Sequence, residues 1–113
     1  MMTIDSLKAY GANVEEGLGR CMNNEAFYLR LVNMALEDEN FARLGEAAAK
    51  NDRKAAFEAA HALKGSIGNV ALTPIYRPVC ALTELLRGAD ALPDGGGALL
   101  TEIMTQREKA LKL

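Results

Sequence analysis

His61 is the only histidine in this chain of 113 residues, and it stands in the run His61-Ala62-Leu63-Lys64-Gly65-Ser66-Ile67-Gly68-Asn69. An imidazole side chain, titrating near ~6.5, is mostly neutral at pH 7 and keeps a free lone pair for nucleophilic attack. Lys64 supplies a cation three residues on, and Gly65 supplies bare backbone four residues on. A solitary imidazole with a cation one turn on and bare backbone beside it reads as a nucleophile that something large must reach.

A helix must present these residues. Ala56, Ala60, Leu63, Ile67 and Val70 follow one another at spacings of three or four and make one apolar stripe. At about 100° per residue, His61 lies about 200° round from Leu63, away from that stripe. Its own face carries Lys54, Phe57, Lys64, Gly65 and Gly68, so the ring is expected to point into solvent. A glycine inside a helix costs about 1 kcal/mol relative to alanine, and this chain uses alanine freely elsewhere, as at Ala47-Ala48-Ala49. Gly65 and Gly68 are therefore candidates for partner access, places where another surface comes close; Gly68 could also serve to end the helix. Phe57 is either a hydrophobic contact for a partner or a packing residue against a neighbouring helix. Lys54, with Arg53, belongs to a solvated face and is a further candidate partner contact. Ser66 is turned partly away from His61 and is given a supporting role at most.

The run from His61 to Leu72 closely resembles the motif of histidine-containing phosphotransfer (HPt) domains, the four-helix-bundle intermediates of multistep two-component phosphorelays. The similarity extends upstream through Asn13-Val14-Glu15-Glu16-Gly17-Leu18-Gly19-Arg20 and Asn24-Glu25-Ala26-Phe27-Tyr28-Leu29. It covers most of the chain, and beyond about Arg87 it persists only as helical character. One departure is Ala71, where the family commonly carries glycine after the helix. The resemblance implies that His61 accepts and donates the phosphoryl group through its solvent-facing nitrogen. It implies that Lys64 offsets the charge and that Gly65 leaves room for the partner's active-site loop. The implied partners are response-regulator receiver domains and a hybrid sensor kinase. The receiver brings the aspartate and the Mg²⁺, so no cofactor and no metal site are expected on this chain, nor any autonomous enzymatic activity.

Composition bounds the rest. A chain of this length is expected to form a single domain spanning residues 1–113 around one core. Half its residues are hydrophobic but few are aromatic, as in aliphatic helical bundles. A net charge of −2 argues against nucleic acid, which calls for a concentrated basic face. No apolar run approaches the roughly 18 residues of a membrane span, and Met1-Met2-Thr3-Ile4-Asp5-Ser6 lacks the basic start of a signal peptide. The expectation is a cytoplasmic monomer, with Cys21 and Cys80 as thiols. Lys64-Gly65-Ser66 does not have the order of a phosphate-binding loop and lies inside a helix, which argues against nucleotide binding.

Every periodic segment is helical, and the expected architecture is an all-α, antiparallel, up-down four-helix bundle, core about 24–112, with short N-terminal helices. The first helices cover Ile4 to Tyr10, ending at Gly11, and Asn13 to about Cys21. Asn24 caps the next, with Phe27, Leu31, Met34 and Leu36 at helical spacing; it continues past a bend near Glu39-Asn40 through Phe41, Leu44 and Ala48. Glu39–Arg43 and Glu46–Lys50 are favourable i,i+4 pairs. Asn51-Asp52 breaks the pattern and caps the histidine helix. Thr73-Pro74 reads as cap and first position of the following helix, with a kink at Pro78 or a later start near Arg77. Gly88 to Gly97 is expected to be a mobile connection, and Ala98 to Leu111 the last helix, with Leu99, Ile103 and Ala110 inward.

Two other functions fit a helical bundle of this kind. One is a non-phosphorylated binding module that occludes a receiver or kinase surface. The other is a self-sufficient helical hydrolase, disfavoured because neither a second histidine nor a carboxylate shares the His61 face.

Overall fold

The computed structural model describes residues 1–89 and 93–113. Among them the chain forms seven helices and no strand: α1 (Ile4–Tyr10), α2 (Val14–Arg20), α3 (Glu25–Leu36), α4 (Asn40–Ala49), α5 (Arg53–Asn69), α6 (Thr73–Leu86) and α7 (Gly96–Leu111). Most starts are set by short polar caps. Thr3 and Ser6 close a capping box on α1, and Asn13, Asn24 and Asp52 each accept from the backbone N–H three residues on. Gly11 ends α1 in the left-handed conformation, at φ 110°.

Helix α5 is the centre of the assembly. It packs against α4 on one side and α6 on the other, α6 continues to α7, and α3 and α4 reach back to both α5 and α7. The Ala56–Val70 stripe is buried as its period requires, with Ala60, Leu63 and Ile67 fully enclosed. Leu36, Leu44, Ile75, Val79, Leu86 and Ile103 close the same core from the surrounding helices.

Three helix ends are finished by arginines from elsewhere, which satisfy carbonyls that a helix leaves open at its C-terminus. Arg20 donates to the carbonyls of Gly68 and Asn69 at the end of α5, at 2.6 and 3.1 Å. Arg53 donates to Leu86 at the end of α6 (3.1 Å), and Arg107 to Leu36 at the end of α3 (2.9 Å). The Arg53 bond also fixes direction. The start of α5 meets the end of α6, while Gly68 near the end of α5 meets Tyr76 near the start of α6, so the two helices are antiparallel.

Several expectations change here. The buried stripe of α3 is Tyr28, Val32, Ala35 and Leu36, not Phe27, Leu31 and Met34. Phe27 and Met34 are 40% and 62% exposed. Both sets repeat at helical spacing, and the choice falls to Tyr28, whose hydroxyl donates to the Val70 carbonyl (2.8 Å) inside the core. The bend before Asn40 becomes a break over residues 37–39. Glu39–Arg43 forms at 3.1 Å; Glu46–Lys50 is not among the ion pairs of the described residues. Helix α6 starts at Thr73, without a side-chain cap, and runs through Pro78. That proline is buried, and its missing N–H forgoes a single bond near the start of the helix. Gly96 and Gly97 belong to α7 instead of the expected connection, and residues 90–92 of that connection lie outside the described residues.

Candidate functional site

His61 sits mid-way along α5 and is exposed, on the side opposite the buried stripe. One turn earlier, Phe57 is half-buried and stacks on the imidazole, ring centroids 5.8 Å apart and planes inclined by 27°. The guanidinium of Arg87 lies 5.2 Å from the Phe57 centroid, a cation–π contact. Phe57 thus packs against its own helix's histidine and against the end of α6. A hydrophobic residue left open between partner contact and packing is here a strut under the ring.

On the other flank, Lys64 is half-buried and lines a hollow beside Gly65 whose far wall is Glu16, Arg20, Thr73 and Tyr76. The two glycines part company. A Cβ built at Gly65 would meet nothing within 4 Å, so the backbone there is open to an approaching surface. A Cβ at Gly68 would lie 2.7 Å from Cε1 of Tyr76. Tyr76 of α6 packs against Gly68, which gives that glycine a packing reason of its own. Ser66 faces α3: its hydroxyl turns toward the Leu63 carbonyl at 3.5 Å, and it borders a shallow groove with Leu31, Met34 and Asn69. Lys54 is exposed two turns before His61, beside Lys50, Asn51 and Arg53.

The turn after α5 answers the departure at Ala71. Its φ is +58°, the left-handed region in which glycine is at home. Alanine holds it because its N–H reaches the Gly68 carbonyl (3.1 Å) and its carbonyl accepts from Asn13 (2.9 Å).

Two residues escape sequence reasoning, Glu84 on α6 and Arg87 at its C-cap. Glu84 accepts from Arg87 through both oxygens, at 3.2 and 3.3 Å. That hydrogen bonding and charge, with a smaller contribution from Lys64, hold its carboxyl below the usual carboxylate range. A carboxylate therefore does stand near the histidine's neighbours, delivered by the next helix. An i,i+3 pair on α6 was readable, but nothing in the spacing joins it to α5.

Among the described residues no group of three or more His, Cys, Asp or Glu is placed to hold a metal ion. The chain matches the Hpt domain family over residues 32–110. It belongs to that family. Comparisons with curated proteins and with solved structures returned no match. Hpt domains are histidine phosphotransfer modules of two-component signalling, and His61 is the only histidine this Hpt domain has. No helix among the described residues is long and apolar enough to cross a membrane.

Proposed function

We infer that this Hpt domain is a phosphorelay intermediate, taking a phosphoryl group from one receiver aspartate and passing it to another through His61. The observation that carries this is the exposed imidazole on α5, braced by Phe57 and flanked by Lys64 and the open backbone at Gly65. The ring of contacts α3/α4–α5–α6–α7 supports an up-down four-helix bundle as the scaffold.

In the forward step the solvent-facing ring nitrogen attacks phosphorus. The P–N bond forms as the P–O bond of the aspartyl phosphate breaks, and the bonding pair leaves with the carboxylate. The second ring nitrogen keeps its proton during attack and releases it to water afterwards. Lys64 offsets charge on the phosphoryl oxygens, and the receiver contributes its aspartate and Mg²⁺. The reverse step hands the group to the next receiver. Each receiver docks over Gly65, on roughly 800 Å² per side or less, as suits an encounter that must end.

The test is to mix the protein with phosphorylated receivers and follow label. Acid-labile, base-stable label that disappears in His61→Gln is expected. A receiver that binds without ever labelling His61 would instead establish the non-phosphorylated binding module.

A further inference from the structure

Arg87, the cation over the ring that stacks on His61, is already engaged before any phosphoryl group arrives. In the antiparallel pairing, Gly68 faces Tyr76 at one end and Phe57 faces Arg87 at the other. His61 and Lys64 lie between those two points on α5, so they fall opposite the turns of α6 that contain Cys80 to Glu84. Glu84 holds Arg87 bidentately, and Arg87 lies over the ring that stacks on His61. Both partners of that ion pair are more than half exposed, at 54% and 61%, so neither is locked by packing.

We propose that Glu84 is a counter-charge that sets how strongly this module holds its phosphoryl group, by occupying Arg87 until the phosphohistidine displaces it. This rests on the phosphotransfer reading of His61. A phosphoryl group carries close to two negative charges and three acceptor oxygens, so it outcompetes one carboxylate for a nearby guanidinium. Glu84 is then released from Arg87, and its like charge stays on the turn of α6 that faces His61. Both effects weaken retention on His61 and favour onward transfer. No bond to Glu84 forms or breaks in the reaction; only the ion pairing changes.

The first arm of the test loads His61 chemically with phosphoramidate, without a receiver, and follows the Arg87 Nε–H signal by NMR. The expected result is a clear shift on loading of the wild-type protein that is lost in His61→Gln; an unmoved signal overturns the proposal. The second arm measures the transfer equilibrium with one phosphorylated receiver. Glu84→Gln is expected to shift it toward phospho-His61 by about threefold, the scale of an exposed ion pair, and the gain should shrink in high salt. Glu84→Asp should return it toward wild type, and Glu84→Gln made in an Arg87→Gln background should give less than the full gain. Glu108→Gln, a charge change on α7, should do nothing. An equilibrium identical in wild type and Glu84→Gln refutes the counter-charge while leaving phosphotransfer standing. A protein that loads with phosphoramidate but exchanges with no receiver refutes the relay and leaves the first arm to decide the counter-charge.

Discussion

Gly65 and Gly68 are three residues apart on one helix, and alanine at each should have opposite consequences. Replacing Gly65 adds a Cβ with nothing within 4 Å. The helix gains about 1 kcal/mol of propensity, or about 4 °C in Tm for a chain of this size. Replacing Gly68 brings the same gain but sets a Cβ 2.7 Å from Cε1 and 3.2 Å from Cδ1 of Tyr76. Such overpacking costs about 1–3 kcal/mol. The net runs from no change to a loss of about 2 kcal/mol, so the variants should differ by about 1–3 kcal/mol in favour of Gly65→Ala. Function should order them the other way. Gly65→Ala and, more severely, Gly65→Leu should slow transfer from a receiver while melting above wild type, because the added atoms occupy the approach to His61. Gly68→Ala should transfer at close to the wild-type rate wherever it is folded. Urea unfolding and single-turnover transfer on the same preparations measure both quantities. Gly65→Leu at full transfer rate, or Gly68→Ala as stable as Gly65→Ala, would refute the division of roles.

Gly17→Ala places a Cβ 2.4 Å from a Tyr28 ring that is fully buried and pinned by its hydroxyl bond to Val70; a loss of about 3 kcal/mol in urea is expected, and less than about 1 would show that the ring moves aside. Lys64→Gln should slow phosphoryl acceptance by about tenfold, the scale of one charge-assisted contact, with Tm unchanged; an unaltered rate removes Lys64 from the site. Burial pushes the Tyr28 hydroxyl up to about 12, helped by Cys21, and raises Tyr10 as well. The unfolded chain gives up these protons near ~10 while the folded chain holds them, so stability is complete below that pH and falls as pH climbs toward 12, by up to about 1.4 kcal/mol per pH unit for each ring. Denaturant midpoints that stay level from pH 9 to 11.5 would contradict this. Deleting residues 1–23 removes Leu7, Val14 and Cys21 from the core. At about 1.5–3 kcal/mol per side chain, the loss rivals the whole stability of a small domain; circular dichroism should show a largely unfolded chain, and a melt within a few degrees of wild type would refute it.

The histidine helix was legible because its stripe, its Asp52 cap and its outward residues all rest on the period of a single helix. The first two helices were legible for the same reason, their caps being local. Contacts between helices were hidden. Phe27, Leu31 and Met34 have the same spacing as the true inward set, and only the long-range bond from Tyr28 to Val70 distinguishes them. Gly65 and Gly68 look alike in the sequence until Tyr76 is seen to lie against one of them. Glu84 and Arg87 were invisible as neighbours of the site because proximity across α5 and α6 depends on the register of two helices. The start of α6 at Thr73 instead of near Arg77 was hidden because the bond a helical Pro78 lacks is local, whereas the core burial that offsets it is not.

The charges around the ring sort by what already holds them. Arg20 carries the end of α5 and pairs with Glu16, Arg53 carries the end of α6, and Arg107 carries the end of α3 while stacking 4.6 Å from the Phe41 centroid. Releasing any of these for a phosphoryl group would reopen helix carbonyls. Arg87 instead pairs with Glu84 through exposed side chains and lies over Phe57, and Lys64 lines the hollow beside Gly65. Arg20 also comes from α2, ahead of the stretch that matches the family, yet it fixes the helix that presents the histidine. The amino-terminal segment thus holds in place the helix that carries His61.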